Sequence, residues 1–198
     1  MILECGGETM KKPWFNDSCI SEQEFRLSNA MRLVWEQHVY WTRLTINSIA
    51  FNSPDLDANT ARLLRNATDM GNLLKPFYGN RIATKFSNLI RDHLVIAAEI
   101  VNAAKAGNQK AVAELERRWY ANGAEIARFL SKINPFISEK EFREMFFEHL
   151  ALTTQEAVLI LQMKFEASIA VFDKIEAEAL EMADTITAAI VRQFPGRF

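Results

Sequence analysis

Between Ser138 and Phe194 the chain carries neither proline nor glycine. Phe142, Met145, His149, Leu152, Thr153, Glu156, Ile160 and Met163 recur there at steps of three and four. That is the period of one face of an α-helix, not of a strand. The same period continues through Phe172, Ile175, Ala179, Met182, Ile186 and Ile190. Ser138 with Glu141 three residues on reads as a capping box, so a helix starts there. One straight helix over the whole stretch would span about 85 Å, roughly twice its neighbours. Either it turns back near Lys164 to Ser168, or it projects and pairs with a second copy as a homodimer.

The rest of the chain repeats this pattern. Ser21 and Glu24 form a second capping-box spacing. They open a helix with the stripe Leu27, Met31, Val34, His38, Trp41, Thr45 and Ile49, which stops before Ser53-Pro54. Residues 53 to 79 read as a connection with two short helices, capped at Asp57 and Thr68 and ended by Pro76 and Gly79. A second long helix runs from about Asn80 to Ala106 through Ile82, Phe86, Leu89, His93, Ile96 and Ile100. Gly107 ends it and Asn108 caps a third, with Trp119, Asn122 and Ile126 on its stripe, broken at Asn134-Pro135. No fixed-period repeat is visible beyond the shared helical stripe.

The expected fold is therefore all-α. It is an up-down four-helix bundle with a helical crossover after the first helix and an additional C-terminal helix. Residues 20–198 form one domain behind a flexible N-terminal arm at 1–19, which holds Gly6, Gly7 and Pro13. The 198 residues, 49% hydrophobic, are enough for a sizeable core. The net charge of −2 comes without a basic stripe, which argues against nucleic acid. No run reaches the roughly 20 apolar residues of a membrane span, and the N-terminal residues lack a secretory signal. Cys5 and Cys19, both in the arm, read as reduced thiols of a cytoplasmic protein.

Polar residues on apolar stripes mark the candidate site. Short connections make neighbouring helices antiparallel, so distances from the turns can be matched. His38, His93, Asn122 and His149 then fall within one helical turn of a common level. Two readings of that layer compete. Three imidazoles plus an amide or open position can hold one transition-metal ion, Zn, Fe, Cu or Ni, with Glu156 as a further oxygen donor. Alternatively the layer is a core hydrogen-bond network that fixes helix register, in a structural or interaction module self-associating through its C-terminal helix. The residues three before each histidine are Trp35, Ile90 and Phe146, not the Glu of a Glu-x-x-His di-metal bundle. Glu36, Asp92 and Glu148 read as solvated flanks. Gly123 beside Asn122 suggests close packing.

The segments Trp35 to Arg43, Lys75 to Gly79, Asp92 to Leu94, Trp119 to Asn122, Glu148 to Leu150 and Gln193 to Pro195 resemble a family of small uncharacterised all-helical proteins from Firmicutes, some labelled acetylglutamate kinase. The resemblance covers residues 22 to 198 and implies a bacterial, helical protein. An amino-acid kinase needs an α/β sheet with Gly-rich phosphate loops, and no strand-period run or such loop is present, so an enzyme of that kind is not expected.

Overall fold

The computed structural model describes residues 20–198, and every described element is helical. The expected arm at 1–19, with Cys5 and Cys19, lies outside the described residues. The elements are α1 (Glu22–Phe51), α2 (Leu56–Lys105), α3 (Gln109–Ile133), α4 (Glu139–Leu161) and α5 (Phe165–Gln193), followed by a 3-10 turn at Pro195–Arg197. No helix among the described residues is long and apolar enough to cross a membrane.

The helix ends follow from local chemistry. The Ser21 hydroxyl accepts from the Glu24 amide at 3.0 Å, Ser138 from that of Glu141 at 3.3 Å, and Asn108 from that of Ala111 at 3.1 Å. Each satisfies an amide that the first turn leaves without a helical partner. At the other ends, Asn52 (φ 51°) and Gly107 (φ 71°) adopt the left-handed conformation that stops a helix.

Two expectations are corrected. Residues 53 to 79 are not two short helices capped at Asp57 and Thr68. Asp55 occupies the N-cap position of α2 without a side-chain cap, and Thr68 lies in mid-helix. One helical limb runs through Pro76 to Gly79, whose φ of 77° breaks the helical path. There the chain reverses. A Cβ on Gly71 would fall 1.9 Å from Ser87 Oγ and 2.7 Å from the Ala83 carbonyl oxygen, so the two limbs of α2 pack backbone against backbone. Glycine is required at that crossing because no side chain fits.

The second correction concerns the bundle. The 138–194 stretch does turn back, at Met163 (φ 57°). Its stripe, including Ile175, Ala179, Met182, Ile186 and Ile190, is buried within the chain. That burial removes the motive for the homodimer. With α2 folded into two limbs, six helical limbs surround a large core cluster and a smaller one of Ile46, Ile49, Val101, Ala157 and Ile160, rather than four limbs with appendages. Each limb neighbours the next in sequence, and α5 closes the ring against α1. The senses alternate: Arg32 meets Asp184 while Arg43 meets Ser168, and Gln37 meets Arg62 while Ser48 meets Asn59.

The six limbs are three helical hairpins that repeat at intervals of about 56 residues, a period that the sequence read alone did not show. His38, His93 and His149 are equivalent, and so are Asn66, Asn122 and Glu178. Counting on from the latter three, one residue gives the buried Ala67, Gly123 and Ala179, and eight residues give the buried Leu74, Leu130 and Ile186. Small residues adjoin the polar layer in every hairpin. At Gly123 a Cβ would lie 3.0 Å from Phe146 Cδ1, the close packing expected there.

Candidate metal centre

The three histidines meet in the core. The centroid of the His38 ring lies 6.0 Å from that of His93 and 5.7 Å from that of His149, and the last two are 6.2 Å apart. One nitrogen from each ring lies within 4.8 Å of the other two, and all three residues are buried. The ring centroids form a near-equilateral triangle, with one ring from each hairpin.

The second helix of each hairpin supplies the partner. His38 Nδ1 lies 3.2 Å from Asn66 Oδ1, and Asn66 Nδ2 donates to the Val34 carbonyl at 2.8 Å. With its NH2 group so engaged, the Asn66 amide presents oxygen, and Nδ1 of His38 must be the donor. His149 Nδ1 lies 3.1 Å from Glu178 Oε2, and a carboxylate is acceptor-only, so the same tautomer follows. In His38 the lone pair is then on Nε2, and in His149 too Nε2 is the nitrogen left for the centre. Such an Nδ1–H held on an oxygen is the usual support of a metal-bound imidazole.

The third pair is incomplete. His93 Nδ1 and Asn122 Oδ1 are both buried and short of a well-formed hydrogen bond, although Asn122 is near enough to the ring to favour its protonated form. Asn122 is held by its other end, donating from Nδ2 to the Leu89 carbonyl at 3.1 Å. The His93 ring is instead fixed by stacking on Trp119, centroids 5.1 Å apart, and by the edge of Phe146 at 5.1 Å. Trp119 Nε1 donates to the His93 carbonyl at 3.0 Å. Trp35 also flanks the layer, 6.1 Å from His38, whereas Trp41 packs against Tyr40 and Arg62.

Electrostatics keep His38 and His93 neutral. Burial, and then the neighbouring His149, pull the His38 pKa from 6.5 down to about 3, against the opposing hydrogen bond from Asn66. Burial, then His38 and His149, hold His93 well below the usual range, against an opposing contact with Asn122. A neutral imidazole is the ligand form, so at neutral pH these two rings can bind a cation without first losing a proton.

Glu156 does not join them. It stands two helical turns beyond His149, where its carboxylate is ion-paired with Arg43. Arg43 also donates to Ser168 Oγ at 3.2 Å. Burial raises the Glu156 pKa, and Arg43 works against that rise. The sequence reading placed Glu156 on the inward stripe correctly but missed its partner. It also missed Asn66, inside what was read as a connection, and Glu178, one residue from the counted stripe. The interval of about 56 residues was the signal that could have found both. Glu36, Asp92 and Glu148 are exposed.

One turn beyond the layer lies a mainly apolar cavity of about 30 Å³, walled by Thr42, Leu94, Trp119 and Thr153 among others. In comparisons with known proteins, no family, no curated protein and no solved structure matches this chain.

Proposed function

We propose that this protein binds one divalent transition-metal ion through Nε2 of His38, His93 and His149. The observation that carries the reading is the convergence of Nε2 lone pairs, fixed from outside by Asn66 and Glu178. Two lone pairs facing each other in a buried space call for a cation, a proton or a bridging donor between them. The size is compatible. An ion centred in a triangle of 4.8 Å sides would lie about 2.8 Å from each nitrogen, against about 2.0–2.1 Å for a bound metal. Closing that gap needs each ring to move inward by less than about 1 Å. Imidazole donors suit Zn, Fe, Cu or Ni. Three protein ligands leave a fourth position for an exogenous ligand, as in catalytic rather than structural zinc sites. A self-associating module is less well supported, because α5 spends its apolar stripe inside its own chain.

The test is a titration of metal-stripped protein, purified without a histidine tag, with Zn(II), Co(II), Ni(II), Cu(II) and Fe(II). One equivalent should bind, and a hundredfold excess over the Kd should stabilise the fold by about 2.7 kcal/mol. His38→Ala should abolish both effects. A wild-type protein whose melting temperature none of these ions raises would leave the layer as a core hydrogen-bond network.

A further inference from the structure

A buried metal centre needs a way in, and the three histidine pairs are not equally closed. His38 and His149 have their partners in place, and Asn66 is fully enclosed. Asn122 is different. It lines a solvent-facing groove of about 460 Å³ between the second limb of α2 and α3, together with Asp92, Ile96, Arg117, Arg118 and Glu125. It is only 9% exposed, and its Oδ1 has no partner. The residue that should complete the third pair is therefore also the floor of a groove open to water.

The charges in the groove favour a cation. Arg117 is turned to Glu114, donating from Nη2 at 2.6 Å, and Arg118 lies 3.9 Å from Glu99. Both of those acids lie outside the groove lining. Asp92 and Glu125 take part in no ion pair among the described residues. Two guanidiniums are thus already balanced and two carboxylates are not. Asp92 directly precedes His93 in the chain. Between the groove and the Nδ1 edge of the ring stands Asn122, tethered by one well-formed bond to the Leu89 carbonyl and in looser polar contact with His93. One such bond contributes on the order of 1 kcal/mol net, so swinging the side chain aside is a small step. On its other sides the His93 ring is covered by Trp119 and Phe146.

We propose that a divalent cation reaches the three-histidine centre through this groove, drawn in by Asp92 and Glu125 and admitted when Asn122 swings aside and the His93 ring turns, bringing Nε2 to the groove and then back to the centre. The inference rests on the metal reading above. It makes Asn122 a gate rather than a ligand, and the two roles differ kinetically. A gate changes association and dissociation rates by one common factor and leaves the Kd alone. A ligand changes the Kd, mostly through dissociation.

Stopped-flow mixing of the metal-stripped full chain with Co(II) tests this. The surface variant Asp92→Asn/Glu125→Gln should associate about tenfold more slowly at low ionic strength, with the gap shrinking at high salt. Asn122→Leu should slow association and dissociation equally, leaving the Kd within about twofold of wild type. An acid-pair variant that takes up Co(II) at the wild-type rate at low salt overturns the portal, whether or not Asn122→Leu folds. An Asn122→Leu protein with an unchanged association rate and a weaker Kd overturns the gate. A wild-type protein that takes up no Co(II) at equilibrium removes the metal reading itself, and the portal with it. That result is distinguishable from the other two because it needs no variant.

Discussion

Arg43→Met should destabilise the fold by about 3–5 kcal/mol, the largest loss expected from a single substitution away from the histidines. Arg43 is the counter-charge of Glu156, which is 1% exposed. Without it the carboxylate is buried unpaired, and burial then dominates its pKa, which rises above the wild-type value. A carboxyl with a raised folded pKa favours the native state below its unfolded value of 4.5 and loses that advantage as pH rises. The variant should therefore recover stability relative to wild type as the pH is lowered from 7 towards 5. Urea unfolding at several pH values reads both effects. Arg43→Met/Glu156→Leu should regain most of the loss, since apolar residues often replace a buried ion pair at no cost. A single variant that loses less than about 1 kcal/mol, with no pH dependence relative to wild type, would show that Glu156 has water access.

Acid should destabilise the wild-type protein steeply before its surface carboxylates titrate. His38 falls from 6.5 to about 3 on folding, and His93 moves in the same direction. For such groups the unfolded chain binds more protons than the folded one at any pH between the two values. Their contribution is complete above pH 6.5 and is lost as pH falls through that window. The slope is about 1.4 kcal/mol per pH unit for each ring. Glu156, raised on folding, works in the opposite sense, but as one group against two. Between pH 6.5 and 4.5 the two rings together remove about 5 kcal/mol, comparable with the low end of a total stability of about 5–15 kcal/mol, so stability should fall steeply over that range. Chemical denaturation across pH 4 to 8 measures it. Bound metal should shift the transition to lower pH, because it binds only the neutral rings. A stability that stays flat from pH 7 to 4.5 would mean that His38 and His93 take up protons without unfolding the layer.

The histidine layer was legible in the sequence because helix ends are strongly signalled. Ser21, Gly107, Asn108 and Ser138 all sit where the cap and break rules put them, so counting from the turns found the level of His38, His93 and His149. Glycine and proline misled where their roles were unusual. Pro76 lies inside a helix, and the chain reverses at Gly79, so a full helical limb with Asn66 on its inner face was read as a connection. The turn between α4 and α5 carried no signal, because Met163 takes the left-handed conformation that glycine or asparagine usually fills. Without that turn the level of α5 could not be counted, and Glu178 could not be matched to His149. Pairings such as Arg43 with Glu156 join α1 to α4 across the core, and no local pattern encodes them.

The central claim is that three imidazoles converge on one ion. X-ray absorption at the metal edge of Co(II)- or Zn(II)-loaded protein tests it most directly. Three imidazole nitrogens at about 2.0–2.1 Å, with one further light atom, are the predicted shell. His38→Ala should take up no stoichiometric metal. A shell of oxygen donors without imidazole scattering would contradict the account. So would a protein that stays metal-free under excess, in which case a single water donating to His38 and His149 and accepting from His93 fills the same triangle at about 2.8 Å.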